Sequence, residues 1–382
     1  MHKRINLLRE FSIPLIAGVV VALVWANLSP ESYHHFDHDQ LVGPLSFHFI
    51  TNDFFMVFFF GIAAAEITQS CLPGGDLNPP RKAVNPLLAT VGGIVGPVTV
   101  YLGLNAAVGA PDLLSGWGIP TATDIALAWL VARLIFGDSH PVISFLLLLA
   151  IADDAIGLVI IAIFYPDPSI PTAPQWLSLT ACGVAAAWWL RVAKVGSYWP
   201  YLIIGGGLSW AGLFLAHLHP ALALVPIIPF LPHPPKEEKH LFEEDPADRS
   251  TLASFEHEWK IIVDFGLFMF GLANAGVQFS GIGTATWLVL GALIIGKTAG
   301  IFLFGWIGER LGFPLPKGVG RRELLVAGMV SGIGFTVALF VAGEAFTDPV
   351  IQGAAKMGAM LSIGAAVLAF AAAEVFRIRK VR

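Results

Sequence analysis

Charged residues are scarce in this chain, and their scarcity is the first guide to its class. Asp, Glu, Lys and Arg make up 13% of the 382 residues, whereas a soluble domain averages about 25%. Hydrophobic residues make up 56% of the chain. This composition excludes an ordinary soluble domain and predicts a polytopic membrane protein.

Cysteine is also scarce, which excludes a disulfide framework. Cys71 falls in a predicted cytoplasmic loop and Cys182 inside a predicted helix, so both are expected to be free thiols. The small formal net charge of −5 predicts no nucleic-acid partner. No small-residue cleavage site follows the basic N-terminal segment, so the first apolar segment is expected to be an uncleaved membrane anchor.

Long apolar segments recur along the chain. Their lengths predict twelve transmembrane helices in a single membrane domain that spans residues 1–382. The predicted segments are 11–28, 52–68, 86–106, 117–136, 141–164, 175–193, 198–216, 219–232, 256–272, 284–306, 322–343 and 352–375. The polar stretch 232–254 is expected to be a cytoplasmic linker between the eighth and ninth helices. Ser46–Ile50, in the first outer loop, is expected to contribute to a short hairpin.

Lysine and arginine are missing from alternate loops. Residues 107–116, 165–173, 273–283 and 343–349 contain neither residue, whereas Lys or Arg lies in or beside the intervening loops, as at Arg133, Lys194 and Arg310. Positive charge is enriched in the cytoplasmic loops of membrane proteins. The pattern therefore predicts that both termini face the cytoplasm, with Lys356, near the outer start of the last helix, as the one exception.

Four ionisable residues interrupt the apolar segments at mid-membrane depth. Asp153 and Asp154 are adjacent in Phe145–Phe164, which otherwise carries no charge, while Asp124 and Lys297 lie in two other segments. A charge at mid-membrane costs from a few to more than about ten kcal/mol. Because carboxylate oxygens bind hard cations and also protons, the aspartate pair predicts a site that binds and releases one or the other. The alternative is a buried ion pair that only holds helices together.

Two segments contain residues that favour a break in the helix. Gly116–Ile125 contains Pro120 and two threonines before Asp124, and Gly328–Thr336 contains three glycines. Broken helices in corresponding positions are typical of transporter binding sites. Where such helices meet, their ends carry partial charges, which Asp124 could balance at the positive ends and Lys297 at the negative ends. The alternative for each residue is a snorkelling or salt-bridged charge away from any site.

Five motifs occur in order along the whole chain. They are Pro120–Ala126 (PTATDIA), Leu149–Asp154 (LAIADD), Leu272–Gly276 (LANAG), Gly296–Lys297 (GK) and Ser331–Thr336 (SGIGFT). In sequence, order and approximate spacing they resemble the motifs of the NhaA-type sodium/proton antiporters of bacterial inner membranes.

The resemblance implies an all-α fold of about twelve transmembrane helices, with inverted repeats and two unwound helices that cross. It implies that Asp153 and Asp154 bind sodium (or lithium) and protons in turn, with Thr123 beside them. Asp124 and Lys297 would compensate the ends of the broken helices, and the counterpart of Lys297 is also discussed as a partner of one aspartate. No catalytic residue and no cofactor are implied, and the chain is not expected to be an enzyme.

The resemblance also implies electrogenic exchange that is driven by the proton-motive force and rises at alkaline pH. Sodium would leave the cell as more protons enter, which contributes to pH and sodium homeostasis. The expected partners are sodium, protons and the lipid bilayer of the inner membrane. A homodimer through the outer hairpin is a further expectation from the resemblance.

The chain departs from the family at residues linked to pH response. The best-known members carry a charged cluster at the end of the second helix, where this chain keeps only Glu66. His219, Glu256 and His257 are the other candidates for pH sensing. The alternative for His219 is a histidine at a helix end or in a loop, and the alternative for Glu256 and His257 is a solvated helix start. Asp264 interrupts a stretch that is apolar in the best-known members, and the sequence does not indicate its role.

Other uses of membrane aspartates fit this sequence less well. An intramembrane aspartyl protease requires aspartates on two facing helices, usually with one in a Gly-x-Gly-Asp motif that this chain lacks. A retinal-binding pump needs only seven helices. The serious alternative is a transporter of the same fold with another substrate, such as potassium/proton exchange or sodium-coupled anion uptake.

Overall fold

Helices make up most of the protein. The computed structural model describes residues 13–42, 45–72, 80–166, 171–233, 250–378 and 380. The helices in this part of the chain are α1 (Ile13–Leu28), α2 (Pro30–His38), α3 (Phe47–Cys71), α4 (Pro80–Val108), the 3₁₀ helix Pro111–Thr121, α5 (Ile125–Phe136), α6 (Pro141–Phe164), α7 (Leu177–Val192), α8 (Tyr201–Leu215), α9 (Thr251–Asn274), α10 (Thr284–Arg310), α11 (Arg321–Ser331), α12 (Thr336–Ala345) and α13 (Pro349–Val375).

Several of these helices have the length and composition of membrane spans. Among the described residues, α3, α4, α6, α10 and α13 are each long and apolar enough to cross a membrane. Two bent pairs raise the number to seven, namely the 3₁₀ helix with α5, and α11 with α12. The helices α1 and α8 are apolar but shorter. The prediction of a multi-pass helical membrane protein is therefore confirmed, while the number of twelve spans stays a prediction.

The eighth predicted segment, 219–232, is not a helix of membrane-spanning length. It contains two short 3₁₀ turns, Pro220–Leu222 and Ile228–Phe230. Four prolines interrupt this segment. Each proline lacks a backbone N–H group and its ring clashes with the preceding helical turn, so a continuous α-helix is unfavourable here.

Two loop predictions also need correction. Of Ser46–Ile50 the hairpin includes only Ser46, because β1 (Gln40–Val42) pairs with β2 (Leu45–Ser46) and α3 begins directly afterwards. The linker predicted at 232–254 ends earlier, because the Ser250 hydroxyl caps α9 by accepting a hydrogen bond from the Ala253 N–H at 3.2 Å. Residues 234–249 of that linker and the N-terminal twelve residues lie outside the described residues.

Glycines bring α4 and α10 into backbone contact. Gly92 and Gly96 lie one turn apart on α4, and Gly296 and Gly300 lie one turn apart on α10. A β-carbon at Gly92 would collide with the carbonyl oxygen of Gly300, and one at Gly96 with that of Gly296. Small residues at this spacing let membrane helices approach closely. The contact fixes the position of Lys297, which lies between the two glycines of α10.

We expect Gly96→Val to destabilise the protein by roughly 1–3 kcal/mol or more, because the added side chain must push α10 away from α4. The measurement is the melting temperature of the detergent-solubilised protein. Gly103→Val on the same helix is the matched control, since a β-carbon at Gly103 would meet no other described part of the protein within 4 Å beyond its own helical turn. Equal melting temperatures for the two variants would contradict the proposed close packing.

Candidate functional site

The two bent helix pairs meet at their breaks. The 3₁₀ helix and α5 are bent by 57°, and α11 and α12 by 50°. Residues Ala122–Asp124 separate the first pair and Gly332–Phe335 the second. The Asp124 N–H donates a hydrogen bond to the carbonyl of Ile333 at 2.7 Å, which joins the two breaks. Both breaks fall within the stretches where the sequence favours one, and both are enclosed by protein, as irregular backbone in a membrane must be.

Asp124 contacts the first turns of both α5 and α12. Its Oδ1 atom accepts a hydrogen bond from the Leu127 N–H at 3.1 Å. Its Oδ2 atom accepts one from the Thr336 hydroxyl at 2.5 Å and one from the Thr336 N–H at 3.2 Å. A helix N-terminus carries roughly half a positive charge. The carboxylate thus lies where two partial positive charges come together, and both of its oxygens are hydrogen-bonded.

Lys297 forms a buried ion pair and also contacts a helix end. Its Nζ atom lies 2.6 Å from Oδ2 of Asp153, and the side chains of both residues are 0% exposed. The same Nζ atom donates a hydrogen bond to the carbonyl of Thr121 at 2.5 Å. Because Thr121 ends the 3₁₀ helix, this carbonyl belongs to the partially negative end of that helix. The lysine therefore neutralises an aspartate and a helix terminus together.

Local helix geometry helps to place this lysine. Lys297 closes the π-helical turn Ala292–Lys297 within α10. Such turns are rare and are frequently found at functional sites. Together with the glycine contact to α4, the turn directs a long cationic side chain into the interior.

Thr123 lies between the aspartates and the second break. Its hydroxyl donates to Oδ2 of Asp153 at 2.7 Å and lies 3.2 Å from the carbonyl oxygen of Ser331. It therefore lies beside Asp153, as the family resemblance implies, and its oxygen keeps lone pairs that can face an ion. The three predicted residues Thr123, Asp153 and Lys297 come together at one point.

Two carboxylate oxygens at this point have no protein donor. The Oδ1 atoms of Asp153 and Asp154 are both buried, and neither has a hydrogen-bond partner among the residues that the structure describes. Adjacent residues on a helix point about 100° apart, so Asp153 faces Lys297 while Asp154 lines a small cavity between α3 and α6, together with Phe59, Phe60, Ala63, Leu158 and Val337. A buried carboxylate oxygen without a donor is costly, and a cation or a proton would remove that cost.

Three of the other charged candidates gather at a contact between α3 and α9. Glu66, in the C-terminal half of α3, lies within electrostatic range of Glu256, Lys260 and Asp264 on α9. The Lys260 Nζ atom is 3.9 Å from Oε1 of Glu256, and the Gln69 side-chain amide donates a hydrogen bond to Oε2 of Glu256. Asp264 thus belongs to this charged contact.

The two histidine candidates do not join that contact. His257 lies on the exposed face of α9. His219 lies beside α12 instead, where its Nε2 atom is 2.7 Å from Oε2 of Glu344 and its ring packs on Phe340 with the centroids 5.0 Å apart. His219 is therefore an ion-paired residue that is packed against the second broken helix.

The whole sequence matches one family of known proteins. Residues 5–373 match the family described as Na+/H+ antiporter 1. The Na(+)/H(+) antiporter NhaA 1 of Pelobacter propionicus is 72% identical over 381 residues, which cover 100% of both chains. The Na(+)/H(+) antiporter NhaA of Geotalea uraniireducens is 73% identical over 380 residues, which cover 100% of this chain and 98% of that one. The chain belongs to the Na+/H+ antiporter 1 family.

A solved structure shares the fold of this family member. The sodium proton antiporter MjNhaP1 from Methanocaldococcus jannaschii, at pH 8, aligns with a TM-score of 0.56 and 15% sequence identity. The alignment covers 95% of this chain and 91% of that chain. At this low identity, the likeness shows a common fold and nothing about individual residues.

Several polar residues near the broken helices are not among the predicted site residues of this antiporter-family chain. Thr336, which donates twice to Asp124, was read only as part of the SGIGFT motif, although its position after a glycine-rich break indicates a helix start. Glu344 lies in the last turn of α12, whereas the sequence places it in the loop 343–349, and Lys356 lies inside α13. Lys356 is buried in electrostatic range of Asp37 and Glu344, so the exception to the loop-charge pattern is not a loop residue.

We expect Lys297→Ala to lower the free energy of unfolding by about 3–5 kcal/mol, because it leaves the Asp153 carboxylate buried without its partner. Thermal unfolding of the solubilised protein measures this loss. In a double-mutant cycle, Lys297→Ala should cost much less in the Asp153→Ala background, where no buried carboxylate remains. The same cost in both backgrounds would show that the pair does not act as a unit.

Proposed function

We propose that this chain is an electrogenic sodium/proton antiporter in which Asp153 and Asp154 form one site for sodium (or lithium) and protons. Membership of the Na+/H+ antiporter 1 family and relatives named NhaA support sodium/proton exchange. The observation that carries the site is the pair of buried Oδ1 atoms on adjacent carboxylates, which have no hydrogen-bond donor in the described part of the chain.

The oxygen atoms at this point suit a hard cation. Sodium prefers oxygen ligands, as other hard cations do, and Asp153, Asp154 and Thr123 present carboxylate and hydroxyl oxygens together. The same carboxylates bind protons. Because one site holds either species but not both, a site that is loaded with sodium on one side and with protons on the other produces exchange.

The contact with Lys297 allows the Asp153 carboxylate to exchange one cationic partner for another. A cation that binds Asp153 competes with the Lys297 ammonium for the carboxylate. The ammonium already donates to the Thr121 carbonyl at 2.5 Å, so it keeps one hydrogen bond when the aspartate binds sodium. Asp154 and the Asp153–Lys297 pair can each hold a proton, and interacting groups of this kind titrate as a unit. Exchange of more than one proton for each sodium ion would make transport electrogenic.

The two bends supply the structural basis for alternating access. We infer that they are the unwound, crossing helices of an inverted-repeat fold with about twelve transmembrane helices. Helix ends at mid-membrane need compensation, which Asp124 and Lys297 give through their contacts with three helix ends. The loops without Lys or Arg support an inner-membrane orientation with both termini in the cytoplasm. A homodimer through the β1–β2 hairpin is part of the same proposal.

Control by pH would act at two contacts. One is the charged contact of Glu66 and Glu256 between α3 and α9, with His257 on its exposed side. The other is the His219–Glu344 pair beside the second broken helix. A histidine titrates near neutral pH, so loss of its proton would remove the attraction within this pair. The names of the relatives do not favour potassium/proton exchange or sodium-coupled anion uptake.

We expect Asp154→Asn and Asp153→Asn each to abolish exchange. An amide lacks the negative charge that binds either a sodium ion or a proton at this site. The measurement uses purified protein in liposomes with an inside-acid pH gradient. Sodium, lithium, potassium and choline are added separately while the internal pH is followed across a series of external pH values. Of the four cations, only sodium and lithium should raise the internal pH of liposomes that contain the native protein.

Asp138→Asn is the control for this experiment. Asp138 is an exposed carboxylate after α5, and its hydrogen bond from the Arg133 guanidinium holds its pKa below the usual value. This variant should exchange at the native rate. That result would show that loss of an exposed carboxylate outside the proposed site does not reduce the exchange rate. Exchange at the native rate in Asp154→Asn would contradict the proposed site. A response of the native protein only to potassium would show that potassium, and not sodium, is the exchanged cation.

A further inference from the structure

A large apolar cavity beside the aspartate pair is not explained by ion exchange. Its volume is about 370 Å³, within the roughly 300–1,000 Å³ range of ligand sites. One wall is α6, where Ala155, Leu158, Val159 and Ala162 follow Asp154 along the helix. The other walls come from α3, α7, α8 and the proline-containing segment 218–229. The cavity therefore separates the helix of the ion site from its neighbours.

The lining of this cavity does not suit an ion or water. Among the residues that the structure describes, its polar lining is limited to Thr68, Thr180 and His219, and no Asp, Glu, Lys or Arg residue of that part of the chain lines it. A path for sodium would offer oxygen ligands along its length. Cavities with apolar linings stay dry and bind apolar molecules instead. The lining therefore selects an apolar occupant.

The cavity opens on a surface that faces the bilayer. Val159, which lines it, is 55% exposed, and Ile163 and Phe164 farther along α6 are 61% and 58% exposed. Since α6 has the length and composition of a membrane span, these apolar side chains face lipid hydrocarbon. Acyl chains are the apolar molecules on that side, and an unfilled void would forfeit the dispersion contacts of its lining.

We propose that this cavity binds an acyl chain of a membrane lipid, which restrains α6 against α3 and the segment 218–229. Leu158 lines both this cavity and the small cavity that Asp154 lines. The bound chain would thus lie one side chain away from the ion site. Movement of α6 relative to the opposite walls changes the shape of the cavity, so the bound chain stabilises one arrangement over another.

Photolabelling tests this site directly. The protein is reconstituted in phosphatidylglycerol vesicles that contain a small fraction of phosphatidylglycerol with a diazirine on one acyl chain. After illumination, mass spectrometry locates the label. We expect label on the far walls of the cavity, at Thr180, Leu213 and Leu222. Ala162→Phe should abolish that label by filling the cavity, whereas Ile163→Phe places the same ring on the exposed neighbouring position and should keep it.

Two results would overturn the proposal. The first is the absence of label on the far walls of the native protein, as expected for an empty cavity or one covered by a second copy of the chain. The second is equal labelling of Ala162→Phe and Ile163→Phe. The restraint on α6 is tested separately. Ala162→Phe should slow sodium/proton exchange relative to Ile163→Phe, and equal exchange rates in the two variants would overturn the restraint. Labelling does not require exchange, so failure of the ion site would not remove the label.

Discussion

The buried contact between the Lys297 ammonium and the Asp153 carboxylate is the interaction on which the rest of the site depends. An unpaired charge at this depth is very costly, so the two helices that carry the pair must stay together. The glycine contact between α4 and α10 holds the lysine at the required depth. The lysine in turn stabilises the carbonyl end of the 3₁₀ helix at Thr121, while Asp124 stabilises the N-terminal ends on the other side of the breaks. Irregular backbone at membrane depth is thereby kept in place.

The two adjacent aspartates lie in different surroundings. Asp153 has a cationic partner and a hydroxyl donor, whereas Asp154 faces a small, mostly apolar cavity without a protein donor among the described residues. In the proposed exchange, the two aspartates therefore have different roles. Asp154 is free to take up sodium or a proton, and Asp153 must first leave Lys297. Binding at the site is therefore coupled to the contact that holds the helices together, which links ion binding to a change of shape.

Sequence alone indicated the buried charges Asp124, Asp153 and Lys297, because charged residues are rare and costly in membrane segments. It also placed both helix breaks, since proline and glycine act locally. It could not decide whether Lys297 serves an aspartate or a helix end, because the answer depends on which segments pack together. The same reason hid Thr336 and the glycine contact between α4 and α10. The predicted helix at 219–232 is wrong, because apolar composition alone does not make a helix where four prolines interrupt the segment.

Competition between sodium and protons for one site is the central claim, and calorimetry of sodium binding at a series of pH values tests it most directly. Binding to the purified protein should release protons, because the ion needs deprotonated carboxylates. The dissociation constant should rise by about tenfold for each unit of falling pH per displaced proton, over the range in which the site is protonated. A sodium affinity that does not change with pH, with no proton release in any buffer, would contradict the account.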